Sequence, residues 1–316
     1  MVSLVTRVSL WGRAGARCSN PDCRRLVTYR ADNSLDPSIT GDVCHIKARS
    51  PGGPRFDPTY PEEFRDSYDN LILLCRIDHK IVDDHEDTYT VDKLREMKAT
   101  HEAWVEAQLS PQQKSDLATK EKYASIIANI EQMLRFDKAD GWLGWMASDE
   151  YPMIQKEFAD MLFGFATWIA RQFWPNSMPK IEISALNLTK AIDDYIHFFV
   201  QHSGRDMLPQ FYCIPKFYQI SEWDEDRYER LSKKWESVIK EARERAAEIA
   251  RALNLLLEVV REHIAPDYRA SEGWFVVYGM FSDRDLSAAA VPRYDAAQKS
   301  KIFADASYRS VFNVDG

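Results

Sequence analysis

Between Thr90 and Gln108 the positions Val91, Leu94, Met97, His101, Trp104 and Val105 fall three and four residues apart, which sets them on one face of a helix. Thr90 suits the N-cap, but Lys93 rather than a Glu stands at the third position, so the capping box is incomplete. Upstream the pattern is shorter and more broken. Leu71 to Leu74 is a continuous apolar run that reads as a strand or as the buried entry of a helix. Turn-forming clusters lie at Ser19-Asn20-Pro21-Asp22 and Ser50-Pro51-Gly52-Gly53-Pro54. Downstream, long amphipathic stretches predict helices over roughly 118–136, 151–174, 184–202 and 224–264. In the last of these, Trp235, Ala242, Ile249 and Leu256 repeat every seven residues, and so do Ile239, Ala246, Leu253 and Val260. Such a seam serves either the core of an antiparallel bundle or self-association, that is, a homo-oligomer through residues 231–260. The run Trp274-Phe275-Val276-Val277-Tyr278 reads as a buried strand.

The polar stretch opening at Ser110-Pro111 predicts a linker over 110–117. It separates a first domain, 1–109, from a mainly helical domain, 118–316. Six of the nine tryptophans fall between Trp142 and Trp235, so the second domain has a large aromatic core to bury. The net charge of −8 argues against coating nucleic acid by bulk positive charge, yet residues 1–55 hold nine Lys and Arg against four acidic residues. Any footprint for a polyanion therefore belongs to that first segment. No apolar run reaches the roughly 18–20 residues of a membrane span, and Arg7 and Arg13 break the apolar start. The expectation is a cytoplasmic protein with no membrane contact. The helical domain carries neither a P-loop nor a Gly-rich dinucleotide motif.

Cysteine and histidine placement narrows the chemistry. Cys18, Cys23, Cys44 and Cys75, with His45, His79, His85 and His101, all lie in the first 101 residues. Without an export signal, metal coordination explains this cluster better than disulfides. Along the chain the metal-capable groups come as Cys18-x4-Cys23, then Gly41-Asp42-Val43-Cys44-His45-Ile46, then Asp69-Asn70 to Cys75-x2-Asp78-His79-x3-Asp83, then Leu94-x2-Met97-Lys98-x2-His101-Glu102. Hydrolysing a phosphodiester needs an activated water and positive charge at the departing 3′ oxygen; a histidine and one divalent ion supply these near neutral pH.

In order and spacing, these elements over residues 11–106 resemble the HNH (ββα-metal) endonuclease family, in its bacterial defence and restriction-type branch. The resemblance implies an α+β chain: a small ββα-metal domain with zinc-knuckle loops, followed here by a mainly helical domain with a long heptad-patterned helix. It implies that His45 is the general base, Asn70 the loop-fixing asparagine and His79 a ligand of a catalytic Mg²⁺ or Mn²⁺. Asp83, Asp42 or water would complete that shell, and Asp83 is preferred. Many members carry an Asp or His where Cys44 stands; a thiolate suits a hard ion poorly, so either Cys44 is only packed or the metal is softer. Family knuckles also imply a structural Zn²⁺ on Cys18, Cys23 and Cys75, with Asp78 in the fourth place, Cys44 as the alternative, or no metal and three buried cysteines. Arg13, Arg17, Arg24, Arg25, Lys47, Arg49 and Arg55 are phosphate contacts or a solvated face; Arg49 and Arg55, flanking the Pro-Gly-Gly-Pro loop after His45, are the preferred DNA contacts. The implied function is that of a DNA-cutting effector of an anti-phage or restriction-type system. Its helical domain would answer to an operon-encoded partner protein or an activating ligand. The competing expectation is a zinc-stabilised binding module whose nuclease centre has decayed, with the helical half carrying the function.

Overall fold

A computed structural model describes residues 2–29, 38–208, 210–278 and 289–305. They make a mixed, mainly helical α+β protein with small antiparallel sheets. Two compact units emerge: Met1–Asn129 with Ile264–Tyr268, and Ile130–His263 with Arg269–Gly316.

The first unit opens with α1 (Leu4–Arg13), capped by the Ser3 hydroxyl, which accepts from Thr6 N, and burying Leu4, Val8 and Leu10. Strands β1 (Thr28–Tyr29) and β2 (Ser38–Ile39) pair briefly, and β3 (Gly41–His45) follows. After α2 (Glu62–Arg65) and a single 3-10 turn, β4 (Leu71–Cys75) runs antiparallel to β3, with Gly41 opposite Cys75 and His45 opposite Leu71. Every residue of β4 is buried, so the strand is covered on both faces and reads as a continuous apolar run instead of an alternation. Gly41 is required by close approach: a Cβ there would lie 2.6 Å from Cβ of Val27. The strand passes directly into α3 (Arg76–Asp84), whose N-cap is Cys75, with its Sγ accepting from Asp78 N. α4 (Val91–Gln108) follows the expected stripe, and Thr90 does cap it by accepting from Lys93 N. The core joins Leu10 and Ala14 of the N-terminal segment to Cys44, Ile46, Leu71–Leu74, Val82, Leu94 and Met97.

The expected linker is not one. From Pro111 the chain is already α5 (Pro111–Met133). Ser110 and Gln113 form a reciprocal cap, Ser110 N donating to Gln113 Oε1 at 2.9 Å and Gln113 N to Ser110 Oγ at 3.4 Å. Pro111 at the first helical position loses nothing, because its missing N–H would have had no intrahelical partner. The proline was thus a helix start.

The second unit contains α6 (Ala139–Met146), β5 (Met153–Gln155), α7 (Lys156–Ala170), α8 (Pro179–His202), β6 (Gly204–Leu208), β7 (Phe211–Cys213), α9 (Glu225–His263), β8 (Val277–Tyr278), β9 (Ala289–Ala290) and α10 (Ala296–Ala304). The predicted helix 151–174 opens instead as a strand, because residues 153–155 pair with 211–213 in a sheet ordered β5-β7-β6. Of the apolar run 274–278, only Val277–Tyr278 is strand, paired with β9. α8 and α9 form the main packing pair of the unit. On α9 the seam residues Ile239, Ala242, Ala246, Ile249, Leu253, Leu256 and Val260 are all buried within the one chain. From Ile239 to Val260 the heptad repeat is therefore that of a core helix, its face already covered within the chain, while Trp235 at the start of the seam is only half-buried. Asn254, also buried, pins the following segment by donating to Phe275 O and Pro292 O and accepting from Phe275 N.

Candidate functional site

Asn70 organises the loop that leaves β3. Its Nδ2 donates to Lys47 O at 2.9 Å and Arg65 O at 2.8 Å, while Oδ1 accepts from Lys47 N at 3.0 Å. The side chain is wholly buried, and the backbone polar groups it serves would otherwise be left without a partner away from water. Two buried arginines stake the same loop. Arg65 donates to the carbonyls of Ala48, Asp57 and Tyr60. Arg55 donates to Ile46 O, Val82 O and Asp83 Oδ1, at 2.8, 2.7 and 2.6 Å. Its side chain is only 5% exposed. The expectation that Arg55 reaches out to DNA is corrected here, since all of its donors face inward onto carbonyls and a carboxylate.

This staking sets His45 at the end of β3. Its Nε2 lies 2.9 Å from Asp66 Oδ1, and Arg49 Nη1 donates to Asp66 Oδ2 at 2.8 Å. Arg49 is half exposed and already paired. Asp66, at the C-cap of α2, is the partner that sequence reading missed: it stands on an irregular loop, with no periodicity or motif to mark it.

His79, on the first turns of α3, lies between two carboxylates. Its Nδ1 is 3.1 Å from Asp42 Oδ2 on β3, and its Nε2 is 3.2 Å from Asp83 Oδ2 one helical turn on. The expected pair His79 and Asp83 is therefore together. Nitrogen and oxygen donors at adjacent positions of an octahedral shell, each about 2.1 Å from the ion, stand roughly 3 Å apart, so this pair fits a hard divalent ion. A carboxylate on the other ring nitrogen is the usual way to hold a ligating imidazole in one tautomer. Arg55 joins the two halves, one nitrogen on the carbonyl of Ile46, next to His45, and another on Asp83. Cys44 belongs to the apolar core, with its thiol on Asp42 O. Burial, then the charges of Asp42 and Asp83, push that thiol well above its ordinary range, so it stays protonated. It is packed in the core, and the group of donors placed to hold a metal does not include it.

A second cluster forms where the turn after α1 meets the β4–α3 junction. One donor atom from each of Cys18, Cys23, Cys75 and Asp78 lies within 4.8 Å of all the others, a set that could hold a metal ion. Among the described residues it is the one group of at least three such donors this close. Cys18 and Cys75 each place Sγ 3.1 Å from Asp78 Oδ2, and Asn20 Nδ2 donates to Oδ1 at 3.0 Å. All five cysteines are free thiols. Burial raises the Cys18 and Cys75 thiols, and those same thiols help hold the Asp78 carboxyl below its usual value against burial. Cys44 lies outside this set, so the alternative fourth ligand is not used.

His101 has no place in either site. It is buried on α4 with Nε2 3.0 Å from Ala14 O. The chain matches no family model, and no curated protein is similar to it. No described helix is long and apolar enough to cross a membrane.

Proposed function

We propose that the first unit is a metal-dependent HNH endonuclease that hydrolyses DNA. The observation that carries this reading is the order of roles along two paired strands and the helix after them. His45 ends β3, Asn70 clamps the loop that leaves it, and His79 with Asp83 begins α3. His79 and Asp83 would hold a divalent ion, which would supply positive charge at the scissile phosphate and its departing oxygen. His45 donates Nε2–H to Asp66, which leaves Nδ1 with the lone pair that takes a proton from the attacking water. Asp66 thereby orients the base and stabilises the imidazolium that forms. In the second cluster the three thiols and one carboxylate suit Zn²⁺, which takes sulfur and oxygen donors in a tetrahedron. It would staple a unit whose loops contribute little apolar core.

Supercoiled plasmid with Mg²⁺ or Mn²⁺ tests the reading: wild type cuts, and His45→Ala loses on the order of 10²-fold or more. A His45→Ala protein that cuts like wild type removes the base assignment. The second reading, a zinc-stabilised binding module with a decayed centre, is favoured by one feature: both ring nitrogens of His79 already face carboxylates. Absence of cleavage by wild type at every metal tried selects it.

A further inference from the structure

The second unit holds a cavity of about 330 Å³ among α6, β5 and α7 that neither metal centre uses. Its walls follow from the helical repeat. Lys138, Gly141, Trp142 and Trp145 fall on one face of α6 and of the turn before it, three and four residues apart. Phe158 and Gln155 face them from α7 and β5. Trp142 is fixed, Nε1 donating to Leu134 O at 2.9 Å, and its ring lies 5.2 Å from that of Phe158. Trp145 is braced edge-on by Phe211 and is 47% exposed, so it keeps an aromatic face for another ring. Gly141 leaves the floor open: a Cβ there would meet nothing within 4 Å.

Two cations stand at this aromatic cavity with nothing to neutralise them. Neither Arg135 nor Lys138 makes a side-chain hydrogen bond or ion pair among the described residues; Arg135 only lies over the Phe158 ring at 5.7 Å. The Gln155 carboxamide makes no cap hydrogen bond to α7. Arg135 also adopts φ +47°, the left-handed position just past α5 that glycine ordinarily fills.

We propose that this cavity binds a free nucleoside monophosphate. The base stacks on Trp145, Gln155 hydrogen-bonds its edge, and Arg135 and Lys138 take the phosphate. The size of the cavity is at the small end of the roughly 300–1,000 Å³ of ligand pockets, room for one ring system and its phosphate but not for a polymer. The proposal is independent of the nuclease reading, because its test reads binding and not cleavage.

Isothermal titration of the full-length protein with AMP, GMP, CMP and UMP tests it, alongside adenosine, inorganic phosphate and a six-nucleotide single strand. At least one mononucleotide is expected to bind at least tenfold more tightly than adenosine and inorganic phosphate. Arg135→Gly removes the cation and relieves the backbone, so affinity falls at least tenfold with no loss of melting temperature. Gly141→Leu fills the cavity from a position with free space and abolishes binding while the protein stays folded. The proposal is overturned if no mononucleotide binds at millimolar concentration, or if inorganic phosphate binds as tightly. It is equally overturned if only the oligonucleotide binds, or if both variants bind as wild type does.

Discussion

Asp66 illustrates how one side chain can fix the orientation of a histidine at a strand end. The imidazole of His45 and the guanidinium of Arg49 occupy different oxygens of the same carboxylate, which fixes the carboxylate plane. Asp66→Asn keeps the size and loses the charge. Plasmid cleavage by that variant should show kcat down by about 10²-fold with KM unchanged; a rise in KM alone would instead place Asp66, through Arg49, in substrate binding. His101 carries a different prediction. Burial holds its pKa below the ordinary 6.5, with the Arg24 charge acting the same way against the Ala14 carbonyl. The folded protein therefore binds fewer protons than the unfolded chain as pH falls below about 6.5, and stability declines with acidification through that region. Gln can donate to Ala14 O as His101 Nε2 does, without titrating. His101→Gln should flatten the loss of melting temperature between pH 7 and 5; an unchanged slope would assign the acid sensitivity to other groups.

The β4–α3 junction concentrates several tasks in a few residues. Cys75 ends a fully buried strand, caps the next helix and belongs to the thiol cluster, while Asp78 in the first turn of that helix completes the set. A carboxylate is a weaker fourth donor to zinc than a thiolate. The purified protein should carry one zinc per chain by elemental analysis, and Asp78→Cys should slow its transfer to a chromophoric chelator. Transfer at the wild-type rate would mean that Asp78 is not a ligand. On the packed face of α9, the small residues Ala242 and Ala246 are wholly buried. Ala246→Leu should overpack this interface and cost about 1–3 kcal/mol in urea unfolding, with mass by light scattering unchanged. A variant that gains stability and dimerises would restore the self-association seam.

Across the whole molecule, charge is more internally spent than its distribution along the chain suggests. Among the described cations of residues 1–55, Arg7 pairs with Asp267, Lys47 with Asp57 and Arg49 with Asp66. Arg13 and Arg24 lie over the rings of Tyr68 and Trp104. Arg17 donates to Arg24 O, Arg25 to Cys23 Sγ, and Arg55 is buried. Arg7, Lys47, Arg49 and Arg55 are thus neutralised by carboxylates, whereas Arg13, Arg17, Arg24 and Arg25 keep their charge and remain to displace counterions from DNA. Binding of the His45→Ala protein to duplex DNA should show a log–log salt slope of about 4 or less, since each phosphate contact contributes about 0.9 and four of these cations have no carboxylate partner. A slope of 5 or more would mean that these cations release their partners on binding.

Sequence alone determined what depends on local periodicity and on the kind of donor atom. The α4 stripe and its Thr90 cap, the apolar run of β4 and the α9 repeat could all be read from spacing, because neighbours along the chain make them; of the thiol set only the two halves, Cys18 with Cys23 and Cys75 with Asp78, are local, and their meeting was implied by the family resemblance and made by the tertiary fold. The pairing of His79 with Asp83 was legible for the same reason, as the two lie one helical turn apart. Tertiary structure alone decided what depends on partners distant along the chain. It brought Asp66 to His45 and Asp42 to His79, turned Arg55 from a surface cation into an internal brace, and buried the α9 seam inside one chain. A side chain's type tells what it can bond, but an irregular loop has no period to show where that side chain will be when the chain closes on itself.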